Sequence, residues 1–308
     1  MKRTSLAFLT LILIGLTSNH AIGQTTPWEE NFNDDDQAGW TLNNWTQGTS
    51  VIGDVEGRDG SGVLRSNLNA SGPNSDFETI EIGPIQEGDF LSYEYKLNLL
   101  NEGDVSPNAG SCEFTASIIT NIVFSETVHS FTNDGELGWH KNYIDLSDFV
   151  GESISIAFSA QHISEDFWLY FDNFDVSPIA GFVYLDDTIG WLNGAGITAP
   201  DGGSTSTDNI EVIQGSAIFN EEVIANDLSV FVQSNLDVTD ILELHGNLFT
   251  DGELAFKSSE DKTGQLDEFS GTISGVKAIK VERYIPGGTR AFRTLASAVT
   301  TSNSIYTN

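Results

Sequence analysis

Residues 90–99 read FLSYEYKLNL, and within them Leu91, Tyr93, Tyr95, Leu97 and Leu99 alternate with Ser92, Glu94, Lys96 and Asn98. Successive side chains of a strand point to opposite sides, so an apolar residue at every second position marks a strand with one face in a core. The same period returns at 153–160, where Ile154, Ile156, Phe158 and Ala160 alternate with Ser153, Ser155, Ala157 and Ser159. It returns again at Cys112, Phe114, Ala116 and Ile118, which puts the chain's one cysteine on an apolar face as a small buried hydrophobe. Asp59-Gly60, Gly72-Pro73 and Asn133-Asp134-Gly135 are turn signals between such stretches. No long amphipathic helix pattern accompanies them. Many strands joined by Gly and Asn turns predict an all-β chain that begins as a sandwich or barrel.

A break falls at 177–181. Trp28, Trp40, Trp45, Trp139 and Trp168 precede it, and Trp191 follows. From Ile210 onward the strand signals become short and frequent: IEVI at 210–213, AIF at 217–219, LSVFV at 228–232, LDV at 236–238, ILEL at 241–244 and LAF at 254–256. Gly215, Gly246 and Gly252 punctuate them. Short strands with small apolar sets predict a β-solenoid-like region of stacked rungs over 182–308. The irregular period keeps a second small sandwich as the alternative.

The N-terminus opens with Met1-Lys2-Arg3-Thr4, runs through the apolar SLAFLTLILIGL at 5–16, and reaches Ala21-Ile22-Gly23 before Gln24. A positive start, a short apolar run and small residues before the cleavage point predict a secretory signal peptide over 1–23. The run is shorter than the roughly 20 residues of a membrane span, although an uncleaved anchor is the alternative. The expected localisation is therefore secreted or outer cell surface.

Charge supports an exported, soluble role. The chain holds 45 Asp and Glu against 13 Lys and Arg, and Lys2 and Arg3 lie in the leader, which leaves about −34 on the remainder. Such a chain repels nucleic acid and anionic membranes, and neither is expected as a partner. Its many carboxylates are the hard oxygen ligands that calcium prefers. Seven of the basic residues follow position 256, a basic end that either docks on the acidic body or forms a solvated face.

Motifs for catalysis are missing. His129, His140, His162 and His245 form no HExxH pair. There is no G-x-S-x-G elbow, Walker loop or dinucleotide glycine fingerprint. Carboxylate pairs for glycoside hydrolysis can be drawn, Asp172 with Asp175 or Glu94 with Glu113, but so many acids supply pairs everywhere. The chain is read as a non-enzyme.

Three stretches carry a resemblance. They are Trp28-Glu29-Glu30-Asn31-Phe32-Asn33 with Gly39-Trp40; Phe90-Leu91-Ser92-Tyr93-Glu94-Tyr95; and a closing set of WHKNYIDL at 139–146, Ile154 to Phe158 and FWLYFDNFDV at 167–176. On these residues, 27–178 resembles the cleaved-adhesin or choice-of-anchor J jelly rolls, relatives of the MAM and concanavalin-like sandwiches. The resemblance implies a non-catalytic jelly-roll β-sandwich with structural calcium (Ca2+) that binds extracellular polysaccharide or a matrix or surface protein. Carried over by position, the calcium ligands are Glu30 on the first strand and Asp172 on the last, with Asp34, Asp35 and Asp36 as further candidates. Aromatic faces suit the apolar faces of sugar rings, which makes Trp45, Trp40 and Trp139 the candidates for stacking. Residues 256–306, above all Val281-Glu282-Arg283-Tyr284-Ile285, resemble a segment recurring in large secreted proteins of Bacteroidetes-type bacteria, commonly exported by the type IX route. The expectation is an adhesin-like surface protein, read as the N-terminal part of a longer chain. The alternative is a secreted glycoside hydrolase or the non-catalytic part of a larger enzyme.

Overall fold

The computed structural model describes residues 24–32, 39–43, 46–48, 57–58, 61–72, 74–100, 105–120, 125–194, 196–267 and 269–284. The predicted leader at 1–23, the three acids at 34–36 and Trp45 lie outside these residues. Among the described residues the chain is β almost throughout, with a single short 3-10 turn at Ser147–Phe149.

The first half is a sandwich of two antiparallel sheets. One runs in spatial order β3 (Thr46–Gly48), β4 (Val63–Leu68), β11 (Phe167–Pro178), β6 (Asp89–Leu99) and β9 (His140–Asp145). Beyond β4, the long β11 is continued on the same sheet by β1 (Trp28–Glu30). The facing sheet runs β2 (Thr41–Asn43), β5 (Asn74–Glu78), β10 (Ile154–His162), β7 (Cys112–Thr120) and β8 (Ser125–Thr132). Between the sheets the apolar positions of the alternating stretches meet: Leu91, Tyr93 and Tyr95 from β6, Phe114 from β7, Phe158 from β10 and Phe171 from β11 are all buried. Cys112 is buried in this core, and burial, with the Glu113 charge beside it, pushes its thiol up to about 12.

The second half is built differently. A hairpin of β12 (Phe182–Tyr184) and β13 (Trp191–Asn193) opens it. Three ladders of parallel strands follow. The first extends from β12 through β14 (Ile210–Val212), β17 (Leu228–Val230), β20 (Leu248–Thr250) and β23 (Ile273–Ser274). The second joins β15 (Gly215–Phe219), β18 (Ser234–Val238), β21 (Glu253–Phe256) and β24 (Lys280–Val281). The third joins β16 (Val223–Ala225), β19 (Ile241–Leu244) and β22 (Gln265–Leu266). Each circuit of the chain thus stacks on the one before. Equivalent apolar residues stack with it: Ile210 on Leu228 on Leu248, and Ala217 on Leu236 on Leu254, all buried. The turns are tight. Gly215 is in the left-handed region at φ +84°, and a Cβ there would lie 2.4 Å from Asp187 Oδ1.

The two halves pack face to face. The outer side of β12, β14, β17 and β20 lies on the outer side of the β11–β6–β9 sheet. A separate apolar cluster of Val63, Trp139, Tyr170, Val183, Phe231 and Phe249 forms between them. This cover explains why β6 is buried on both faces, although its outward residues Ser92, Glu94, Lys96 and Asn98 are polar.

Candidate functional site

Two surfaces of the molecule gather polar groups, and the first of them holds Asp172, Glu30 and Trp139. The first is the seam between the halves. Here the bulge in β11 between Asp172 and Asp175 turns its side chains outward, with Asn173 at φ +49°. Asp172 is 0% exposed. Its Oδ2 accepts the Ser61 hydroxyl at 2.8 Å and its Oδ1 the Asn173 N–H at 2.7 Å. The backbone of Gly57 presses against it, since a Cβ at 57 would lie 2.2 Å from Asp172 Oδ2. Glu30 lies opposite Phe174 across the β1–β11 pair, two residues from Asp172 in register, and its Oε1 accepts the Phe32 N–H at 2.7 Å.

Tested as a calcium site, this pair supplies two hard oxygen donors of the right kind, with loop backbone alongside. Among the described residues no three Asp, Glu, His or Cys side chains converge as a metal cage. Carbonyl and water oxygens would have to complete the six to eight ligands that calcium takes.

Beside Asp172 the seam carries a network of charges. Arg58 Nε donates to Glu94 Oε2 at 2.8 Å, and Asn173 Nδ2 reaches the same oxygen at 3.2 Å. Lys141 on β9 crosses to the second half and meets Glu211 of β14 at 2.8 Å. Tyr143 donates its hydroxyl to the other Glu211 oxygen at 2.7 Å. Burial by itself would raise the Glu211 carboxyl. The Lys141 charge and the hydrogen bonds from Lys141 and Tyr143 overturn that and hold it below its ordinary value. Lys141 is correspondingly held above its own ordinary value, because the attraction of Glu211 outweighs the cost of burial. Arg58 also lies over the rings of Phe231 and Phe249, 5.4 and 4.9 Å from their centroids, a cation–π contact across the seam.

Of the three aromatic candidates, Trp139 and Trp40 are described, and Trp45 lies outside the described residues. Trp139 is 5% exposed and sits in the apolar cluster of the seam. Its backbone N–H donates to Asp251 Oδ2 at 2.6 Å, and its carbonyl accepts from the Val232 N–H. A buried indole offers no face to a sugar, so Trp139 is corrected from ligand contact to seam anchor. Trp40 packs on the sandwich core against Trp28, Phe32, Phe77 and Phe174, 5.7–6.3 Å between centroids. The proposed carboxylate pairs are also redrawn. Glu94 is buried on the outer side of one sheet and Glu113 is exposed on the outer side of the other, so they cannot face a common bond. Asp172 is fully buried, with Gly57 and Ser61 against its carboxylate, so it presents no oxygen to a substrate.

The second surface is the free face of the five-stranded sheet. Reading across β2, β5, β10, β7 and β8, one row is Asn43, Asp76, Ser159, Thr115 and Ser130. The next is Thr41, Glu78, Ala157, Ser117 and Thr127. The Ser155 hydroxyl donates to Glu78 Oε1 at 2.6 Å. At the end of the face these rows run into a groove of about 300 Å³ lined by Thr41, Glu78, Ile80, Ile119, Thr120 and Ser155. The two rows carry no aromatic ring. Sequence reasoning missed this surface, yet its signal was present: the polar half of each alternating strand is rich in hydroxyl and carboxylate groups.

No protein-family model matches the chain, and no curated protein matches it. Among solved structures it is similar to the K1 cleaved adhesin domain of Lys-gingipain from Porphyromonas gingivalis, at 15% identity and a TM-score of 0.37, over 50% of this chain and 98% of that one. It is also similar to TmCBM61 in complex with β-1,4-galactotriose, at 12% identity and a TM-score of 0.33, over 48% of this chain and 94% of that one. A third is CBM28, a carbohydrate-binding module specific for non-crystalline cellulose, at 14% identity and a TM-score of 0.34, over 48% and 91%.

Proposed function

We propose that this chain is a secreted or cell-surface, non-catalytic, adhesin-like protein whose sandwich binds an extracellular polysaccharide. One observation carries the reading. The sandwich has two outer faces, and the aromatic one is closed by the parallel-stranded half. The free one presents rows of hydroxyl, amide and carboxylate groups five strands wide. Polysaccharides are recognised by such groups when their hydroxyls donate and accept along an extended surface, and hydrogen bonds to charged acceptors contribute about 1.5–3 kcal/mol each. The parallel-stranded half would act as a rigid mount that holds this face outward. Structural calcium at Asp172 and Glu30 is part of the proposal; Asp34, its third expected ligand, lies outside the described residues.

A glycan array with the full chain tests the reading. Binding to one class of polysaccharide should weaken about tenfold or more in Asp76→Asn/Glu78→Gln, which keeps side-chain volume and removes two charged acceptors. No binding across the array, or binding untouched by the double substitution, sinks the assignment of this face. Sugar release abolished by Glu78→Gln would instead make the groove catalytic and favour the hydrolase reading.

A further inference from the structure

Beside the seam lies a cleft of about 280 Å³ that is apart from the polysaccharide face and shares only Glu30 with the calcium reading. Four carboxylates line it, Glu29, Glu30, Glu94 and Asp175, against two cations, Arg58 and Lys141. Arg58 is paired within the cleft to Glu94 Oε2, and Lys141 reaches out of it to Glu211. Glu94 is 0% exposed, and its Oε1 is buried with no hydrogen-bond partner among the described residues. Lys141 Nζ lies 3.8 Å from that oxygen, an ion pair too long for a hydrogen bond. A buried acceptor left unmade is costly, and it calls for a donor from outside. Asp175, on the same cleft, has its carboxyl raised by burial, which the Ser177 hydroxyl at 2.5 Å and the Lys141 charge do not offset. The cleft thus holds more carboxylates than cations, and Glu94 Oε1 in it lacks a donor.

We propose that this cleft binds a primary ammonium group, as carried by a lysine side chain or an amino sugar. Two alternatives fit less well. A divalent metal at Glu94 and Asp175, apart from the calcium proposed at Asp172 and Glu30, would want several acids converging on one point, which the described residues do not supply. A guanidinium wants both oxygens of a carboxylate in its planar fork, and Arg58 already takes one oxygen of Glu94. An ammonium is compact, carries three rotatable donors, and can reach Glu94 Oε1 and Asp175 while leaving Arg58 in place. The strongly acidic surface raises the local concentration of such cations.

Isothermal titration of the full chain with Nα-acetyl-lysine methylamide, glucosamine, N-acetylglucosamine and calcium chloride tests the assignment. One or both ammonium compounds should bind saturably, and which of them does names the source. N-acetylglucosamine, which lacks the charge, should not bind. Asp175→Asn should weaken the binding about tenfold while the protein stays folded, and Glu94→Gln should abolish it. Because Glu94 also holds Arg58, the Asp175 variant carries the test if Glu94→Gln fails to fold. Silence from both ammonium compounds, equal binding of the acetylated sugar, or calcium saturation lost in Asp175→Asn would each overturn the proposal. It stands or falls apart from the polysaccharide reading, whose residues lie on the opposite sheet.

Discussion

Asp172 carries more structural consequence than its position in an aromatic strand reveals. A carboxylate wholly removed from water is stable only when its oxygens are engaged. Here Ser61 and Asn173 engage both, and the absence of a side chain at Gly57 lets the loop close over them. Asp172→Asn puts an amide group where one of these donors points, so its structural cost is about 1–3 kcal/mol. The calcium proposal adds a separate signature. Calcium bound only by the folded state raises the melting midpoint with its concentration. Thermal unfolding of wild type should therefore shift upward with calcium and downward with a chelator, and Asp172→Asn should melt alike in both. A wild-type midpoint indifferent to calcium and chelator would remove the metal and leave Asp172 as a purely hydrogen-bonded clasp.

At the level of elements, the strands of the two halves spread their stabilisation differently. In the parallel ladders each strand touches only its neighbours above and below, so stability is close to a sum of nearest-neighbour terms. Leu236 of β18 is fully buried between Ala217 and Leu254. Leu236→Ala should cost about 2–5 kcal/mol, because the cavity is closed on both sides. Val281 of β24, in the last described circuit, is 46% exposed, and Val281→Ala should change stability by no more than about 0.5 kcal/mol. Denaturant unfolding of the two variants measures the gradient, and equal losses would contradict nearest-neighbour stacking. The exposed ion pairs between circuits, Lys262 with Asp240 and Lys280 with Glu253, add little to it. They do show where part of the basic end goes: onto acids of adjacent circuits. The inward residues of β6, β7 and β10 were legible because period two depends only on the strand itself. The fate of the outward residues was not. Whether Glu94 or Lys96 meets water depends on β14, β17 and β20, more than a hundred positions away. Trp139 was misread for the same reason, since its apolar partners Phe231 and Phe249 belong to the other half. The hydroxyl rows of the free face depend on register across five strands, which no single stretch encodes.

For the whole molecule, the seam decides whether the two halves move as one body, and its charges make that depend on pH. Glu211 is held below its ordinary 4.5. A carboxyl depressed in the folded state contributes stability that is fully present above its unfolded value and is lost as pH falls through the folded one. Asp175 and Asp251, raised by burial above 3.8, work in the opposite sense: their contribution is present below that value and is lost as pH rises through their folded values. The seam should therefore be firmest in mildly acidic solution and loosen in strong acid, where protonated Glu211 leaves Lys141 buried without its closest partner. Glu211→Gln produces that state at every pH. Removing one partner of a buried pair costs about 3–5 kcal/mol, and the 3.8 Å contact of Lys141 with Glu94 places this case at the lower end. The variant should lose the part of the acid limb that Glu211 supplies in a plot of melting midpoint against pH. It should also become open to proteolysis in the connection between Pro178 of β11 and Phe182 of β12. A variant that melts and resists cleavage like the wild type across the acid range would show that the apolar cluster around Trp139 and Phe231, not the charge pair, holds the halves together.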